Sequence, residues 1–193
     1  MARPRGFDEA DVLDKALEVF WAQGYNATSI QDIVDATGLE RGSLYGAFGN
    51  KHGMYMLALD GYMTDALAAF EQALGSHDDP MDGVRWAIGA SAAGTKGTRA
   101  WMGCLVGSAA SEMAANDEPA RQRVHSYIAR LRDMVADAVR QSQAAGSFPA
   151  DRDPEAVALF VHCSIQGLKL LGKTESDPAA VDGVVAEILG ALR

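Results

Sequence analysis

Residues 28–54, TSIQDIVDATGLERGSLYGAFGNKHGM, constrain this chain more tightly than any other stretch. They predict two short helices joined by a tight turn. In the first, residues 29–36, Ile30, Ile33 and Val34 form an apolar face at helical spacing. Thr28 and Gln31 supply its capping box, and Gly38 supplies the turn. In the second, residues 40–48, Leu44 and Phe48 lie four apart on one face, Leu39 joins them from the turn, and Gly49 stops the helix. Arg41, Gly42, Ser43, Tyr45, Gly46 and Ala47 are left around the rest. A short rod of this kind, apolar beneath and polar above, fits the major groove of duplex DNA. An arginine can grip guanine O6 and N7 as a fork, a serine can bond a base edge or a phosphate, and a tyrosine hydroxyl can bond a phosphate.

The rest of the chain must carry that rod. At 193 residues it can bury a core without disulfides or metal. Apolar residues make up 48% and charged residues 22%, and the period-two β-branched clusters that mark strands are absent, so the class is all-α. The net charge of −9 runs against a nucleic-acid binder, and residues 1–55 do not reverse it. They hold five bases (Arg3, Arg5, Lys15, Arg41, Lys51) against eight acids. Charge is screened over about 8 Å at physiological salt, so position outweighs sum. Four of these bases fall in an arm or at helix ends that can share one surface, which predicts a weak, strongly salt-dependent non-specific affinity for DNA. The two cysteines, Cys104 and Cys163, have no metal-ligand spacing to each other or to histidine. Neither a metal nor a cofactor is expected, and both thiols read as reduced and buried. The start has positive charge but no apolar run behind it, and no apolar segment reaches the ~18 residues of a membrane span. A cytoplasmic protein with no membrane partner follows as the expectation.

About nine helices are expected. The first, residues 8–23, has Asp8 as N-cap, a Phe7–Val12 staple, an apolar stripe through Val12, Ala16, Val19 and Phe20, and Gly24 as a left-handed terminator. Asn50 caps the fourth, which runs to about residue 74. The fifth covers 80–94 and the sixth 100–115. The seventh opens at Asp117-Glu118-Pro119 and ends at Gly146. The eighth and ninth start at Asp153-Pro154 and Asp177-Pro178, an N-cap followed by proline at the first helical position. Apolar residues occupy nearly the whole circumference of the eighth, so it must be buried on more than one side, with Cys163 inside. These helices form a three-helix head, 1–53, and a helical body, 54–193. The apolar surplus of the last two helices predicts pairing through Phe160, Ile165, Leu168, Val184 and Ile188. Two copies would place their heads about 34–36 Å apart and read a palindrome.

Gly24-Tyr25, Thr28-Ser29, Ile30, Ile33, Ala36-Thr37-Gly38-Leu39, Gly42-Ser43-Leu44-Tyr45, Phe48, Gly49 and Lys51 closely resemble the DNA-binding region of the TetR (tetracycline-repressor) family of bacterial regulators. The remainder resembles that family in length and helical plan. The resemblance implies a homodimeric repressor on an operator, with Thr28, Ser29, Arg41, Gly42, Ser43, Tyr45 and Lys51 at the DNA. Many relatives carry bulky residues after the tyrosine, whereas Gly46-Ala47 offer no side-chain hydrogen bond, so base readout would lean on Arg41, Ser43 and DNA shape. Arg3 and Arg5 can enter the minor groove. The resemblance also implies a small-molecule effector cavity among the fourth to seventh helices. The side chains suited to it are Tyr62, Trp86, Trp101, Met102, Cys104, Met113, His125 and Tyr127. Binding there would move the fourth helix and change the separation of the heads.

Gly103-Cys104-Leu105 looks like one subgroup of the family, some of whose members sense electrophiles or oxidants through cysteine. A thiol near a helix start, with Arg99 and His125 close by, would react faster than a free one; the competing reading is a small thiol that only packs the sixth helix. Two functions of other classes stay open at this level. One is an all-α enzyme with Cys104 as nucleophile and His125 as base, which no fixed spacing supports and which leaves the head unexplained. The other is a helical adaptor that binds proteins through its acidic surface.

Overall fold

The helices are fixed mainly by their first residues. The computed structural model describes residues 7–175 and 177–193. Among them nine α-helices occur: α1 Glu9–Gln23, α2 Ile30–Thr37, α3 Arg41–Phe48, α4 Lys51–Gly75, α5 Pro80–Gly94, α6 Leu105–Glu112, α7 Glu118–Ala145, α8 Pro154–Thr174 and α9 Pro178–Ala191. Asp8, Asn50, Asp79, Asp117, Asp153 and Asp177 each accept a hydrogen bond from a backbone N–H of the turn they open. Such caps satisfy donors that the helix itself leaves orphaned.

Three expectations about local structure are corrected. The capping box of α2 lies one residue later than expected. Ser29 accepts from Asp32 N–H, and the Asp32 carboxylate accepts from Ser29 N–H at 2.7 Å. Gly24 has a positive φ of 83° but an extended ψ of 164°, so it turns the chain without the left-handed helical cap. A side chain at Gly24 would also strike the Glu112 carboxylate. Residues 100–115 do not form one helix. A single 3₁₀ turn, Ala100–Met102, is broken by Gly103 at φ 67° and ψ −134°, where a Cβ would collide with the Lys173 stem. Cys104 is then extended, and its sulfur accepts from Gly107 N–H at 3.5 Å as the cap of α6.

Two cores hold the helices together. In the first, Phe20 of α1 is fully buried and stands edge-on to Tyr55 of α4, ring centroids 4.9 Å apart. Val12, Ile33, Leu44 and Phe48 complete its head end. The same cluster continues through Leu105, Val106 and Ala109 of α6 to Ala120 and Val124 of α7. The second joins α5, α7, α8 and α9 through Val84, Ile88, Val139, Val161, Leu168 and Ile188. Leu168 and Ile188, expected at a pairing surface, are packed in the core of the single chain. α8 instead turns Leu159, Phe160, Cys163, Gly167 and Leu170 outward in steps of mostly three and four, with Val184 of α9 also exposed. Cys163 is exposed, contrary to the expectation that it is core. The helix carries so many apolar residues because it buries one face and exposes another.

His52 of α4 approaches Asp117 at the start of α7, Nε2 to Oδ2 2.6 Å. The Ala120 N–H bond, and then His52, hold the Asp117 carboxyl below the usual carboxylate range. The Ser29 backbone and hydroxyl do the same for Asp32. A carboxylate depressed by folding contributes stability above its ordinary pKa of about 3.9, lost as pH falls through the lower folded value. Circular-dichroism melts should therefore show the unfolding midpoint dropping as pH is lowered from about 5 to about 3. The double variant Asp32→Ala/Asp117→Ala should melt lower at pH 6 and show a shallower acid decline; equal declines would remove these caps from the account.

Candidate DNA-binding head and effector cavity

Leu44 and Phe48 anchor α3 because both are buried, Leu44 completely. Burial of those two positions fixes the rotation of an eight-residue helix and turns Arg41, Gly42, Ser43 and Tyr45 to solvent, with Tyr45 40% exposed. Every other α-helix among the described residues begins with a side-chain cap; α3 does not. Glu40 precedes it in extended conformation without a capping bond. The open first turn of α3 therefore carries orphan N–H donors and a positive dipole end beside the exposed Arg41, an arrangement suited to a phosphate. Nothing lies within 4 Å of where a Cβ on Gly42 would stand, so the approach is clear.

Three of the expected contacts have a different local role. Thr28 is buried, and its hydroxyl donates to Gly24 O at 2.6 Å, so it locks the α1–α2 turn and offers nothing outward. Ser29 is exposed, but its hydroxyl donates to Asp32 at 2.8 Å. Lys51 bends back from the start of α4, donates to Tyr25 O and Thr28 O at 2.8 Å each, and lies 4.3 Å over the Tyr25 ring. Of the three donors on its ammonium, two are thus committed to the head's own backbone. Arg3 and Arg5 lie outside the described residues.

The body contains a cavity of about 140 Å³ between α4, α5, α7 and α8, with Cys104 closing the α6 side. Tyr62, Cys104 and Tyr127 line it as expected. Trp86 and Trp101 do not, being more than half exposed, and Met102 and Met113 are buried away from it. Ile165, expected at a pairing surface, is a wall of the cavity, so α8 is a wall as well. Arg132, His162, Gln166 and Lys169 line it too, and sequence reasoning passed over them. The signal was present as His162, Gln166 and Lys169, four and three apart, a polar stripe on an otherwise apolar helix. Burial, and then neighbouring Cys104, pushes the Tyr62 and Tyr127 phenols well above their ordinary range, so both are neutral donors. Neither group expected to activate Cys104 lines its cavity. Arg99 is exposed and paired with Glu18 at 2.9 Å, and His125 is exposed.

The segment carrying Cys104 and α6 is hydrogen-bonded to the head at two places. At its amino end Trp21 of α1 donates from Nε1 to Gly103 O at 3.2 Å and packs edge-on to Tyr62 at 5.0 Å. At its carboxyl end Glu112 accepts from Asn26 N–H in the α1–α2 turn at 2.9 Å. Cys104 itself meets Gln166 of α8, Nε2 to sulfur 3.7 Å. No helix among the described residues is long and apolar enough to cross a membrane.

Comparison with known proteins agrees with this plan. The family pattern described as "Bacterial regulatory proteins, tetR family" matches residues 12–56, and "Tetracyclin repressor-like, C-terminal domain" matches residues 80–188. The transcriptional repressor ComR of Escherichia coli K12 is 31% identical over 171 residues, which are 87% of this chain and 80% of ComR. The transcriptional regulator AcuR of Cereibacter sphaeroides is 28% identical over 182 residues, 91% of this chain and 83% of AcuR. Among solved structures, a cysteine mutant of the TetR family regulator CifR, complexed with 26-bp double-strand operator DNA, superposes with a TM-score of 0.88 at 27% identity, each chain covered completely. With its helix-turn-helix head, its nine-helix plan and these relatives, the chain belongs to the TetR family of bacterial transcriptional regulators.

Proposed function

We propose that the protein is a homodimeric repressor that binds a palindromic operator through residues 1–53 and leaves it when a small molecule enters the cavity of residues 54–193. The observation that carries the reading is α3, the one α-helix among the described residues without a side-chain cap, rotated by buried Leu44 and Phe48 so that Arg41, Ser43 and Tyr45 face outward. Arg41 and Ser43 read bases, Tyr45 and the open amino end of α3 take phosphates, and Lys51 holds the head's turn while presenting its remaining donor. The exposed apolar stripe of α8 with Val184 of α9 supports pairing, through Leu159, Phe160, Cys163 and Leu170 in place of Leu168 and Ile188. Turnover on Cys104 has less support: the side chains that meet its sulfur are the Gln166 amide and the Tyr62 phenol, which burial keeps protonated, and His125, the expected base, is exposed and does not line the cavity. The same geometry weakens a thiol sensor, whose supporting Arg99 and His125 lie elsewhere.

Release follows from the two bonds of α6 to the head. An effector that displaces Cys104 and Tyr62 shifts α6, and Trp21 and Asn26 carry the shift to α1 and the α1–α2 turn. The energy is the effector's preference for one of the two arrangements.

Arg41→Ala should abolish sequence preference in an operator titration while leaving the melting curve and the dimer unchanged; retained preference would sink the reading. Tyr45→Phe should weaken binding to all sequences by about 1 kcal/mol, from one lost phosphate bond. Thr28→Val should lower the melting midpoint yet shift operator affinity less than Tyr45→Phe does, since its hydroxyl faces inward; the reverse ranking would return Thr28 to the interface. Trp21→Phe keeps the ring but loses the bond to Gly103 O, so operator affinity should hold while release by effector weakens; unchanged release would rule out this route.

A further inference from the structure

The charge inside the cavity is unlike the charge of the chain. The protein carries 26 acidic against 17 lysine and arginine residues, yet no aspartate or glutamate lines the cavity, whereas Arg132, His162 and Lys169 do. Arg132 stands out among them. Its Nε is buried and has no hydrogen-bond partner among the described residues. A guanidinium cannot shed its proton, so the cavity holds a permanent positive charge with an unfilled donor, an arrangement that folding alone disfavours. The guanidinium also acts on its neighbour. Burial first, and then the charge of Arg132, holds the His162 imidazole below its ordinary pKa. Much of the remaining wall is apolar, with Phe70, Leu131, Val135, Val161 and Ile165, and its other polar groups, among them Gln166 and the Tyr62 and Tyr127 phenols, are neutral.

We propose that the effector is a small organic monoanion, a carboxylate with a short apolar tail, whose charged end is taken by Arg132 with Lys169 and His162 beside it. This rests on the reading of the cavity as the effector site. A planar carboxylate accepts two parallel bonds from a guanidinium and fills its open donors. A cationic effector would have to sit against two cationic side chains, Arg132 and Lys169, with no carboxylate beside them. The size follows from volume: an apolar cavity of about 150 Å³ accommodates benzene, so a cavity of about 140 Å³ takes about six to eight non-hydrogen atoms. The neighbouring surface is basic as well. Cys104, Gln166 and Lys169 also line a surface cleft that reaches Lys173. Its one carboxylate, Glu112, accepts from Asn26 N–H.

The test uses the full chain with butyrate, pentanoate and hexanoate against butyramide, pentanamide, hexanamide and butylamine, reading the melting midpoint and the release of a labelled operator. Carboxylates should raise the midpoint and release the operator, and the matched amides and the amine should do neither. Arg132→Gln should bind carboxylates at least about tenfold more weakly, Arg132→Lys should recover part of the response, and both should bind operator normally without ligand. The carboxylate–amide contrast in the wild type stands even where a variant folds poorly. Equal action by amides or amine, a wild-type response in Arg132→Gln, or no binding by any carboxylate would overturn the proposal. Failure of the effector-site reading looks different: carboxylates would stabilise the protein through Arg132 yet leave operator affinity untouched.

Discussion

The contact between Phe20 and Tyr55 decides how the molecule can work. Phe20 belongs to the first helix of the head, and Tyr55 lies one turn into a 25-residue helix that also forms a wall of the body. Both rings are essentially inaccessible, and such an edge-to-face pair is worth about 0.5–1.5 kcal/mol beyond its burial. Removing a buried Phe ring typically costs about 3–5 kcal/mol. α1 therefore cannot slide on α4 without opening the core. The reading helix is fastened to the same core by Leu44 and Phe48, so α1, α2, α3 and the first turns of α4 move as one body. On the proposed release route, a small shift of α4 or α6 would turn the whole reading surface. A head joined by a flexible linker would transmit nothing.

The sequence made the helices legible wherever a short polar residue precedes an apolar stripe. Asp8, Asn50, Asp79, Asp117, Asp153 and Asp177 announce their helices because the capping bond is local chemistry. The head's outward set was legible too, since two buried residues four apart leave the rest of a short helix exposed. What could not be read was set by contacts distant in sequence. Lys173 and Gly103 are seventy residues apart, and their approach breaks the expected sixth helix. Thr28 looks like a phosphate ligand until Gly24 O takes its hydroxyl. In α8 nearly every position is apolar, so periodicity could not tell the core face, with Leu168, from the outward face, with Phe160 and Cys163. The cavity residues were obscured for the opposite reason. Arg132 and Lys169 are residue types that usually mark a solvated face, and only the packing of α7 against α8 turns them inward.

An acidic chain that binds DNA is a matter of where charge sits. Much of the head's acid is already used: Asp8 and Asp32 cap helices, Asp11 pairs with Lys15 at 2.8 Å, and Glu18 pairs with Arg99. The reading surface has instead Arg41, hydroxyls, and an uncapped helix start that works as a partial positive charge. Few full charges at the interface mean few released counterions, so the salt dependence expected from the sequence becomes shallower and specificity must come from geometry more than from bulk attraction. A regulator with low background affinity for random DNA needs only a small loss of operator affinity to be removed from its site.

That small loss fits the links in the structure. A tenfold preference of effector for one arrangement is worth about 1.4 kcal/mol per cavity, and two cavities in a pair double it. The α6 bonds to the head are of the same size: about 0.5–1.5 kcal/mol for the neutral bond from Trp21 to Gly103 O, and about 1.5–3 for the bond from Asn26 to the Glu112 carboxylate. A much stronger fastening would leave the head deaf to any ligand of a few heavy atoms. A much weaker one would let the heads wander and blunt operator recognition even without ligand. The rigid contacts, Phe20 on Tyr55 and Leu44 in the core, preserve the reading surface itself, while two modest hydrogen bonds on either end of one short helix set its place. On the proposed release route this division gives stability to the aromatic core and responsiveness to α6, and a ligand would dislodge the repressor without unfolding any part of it.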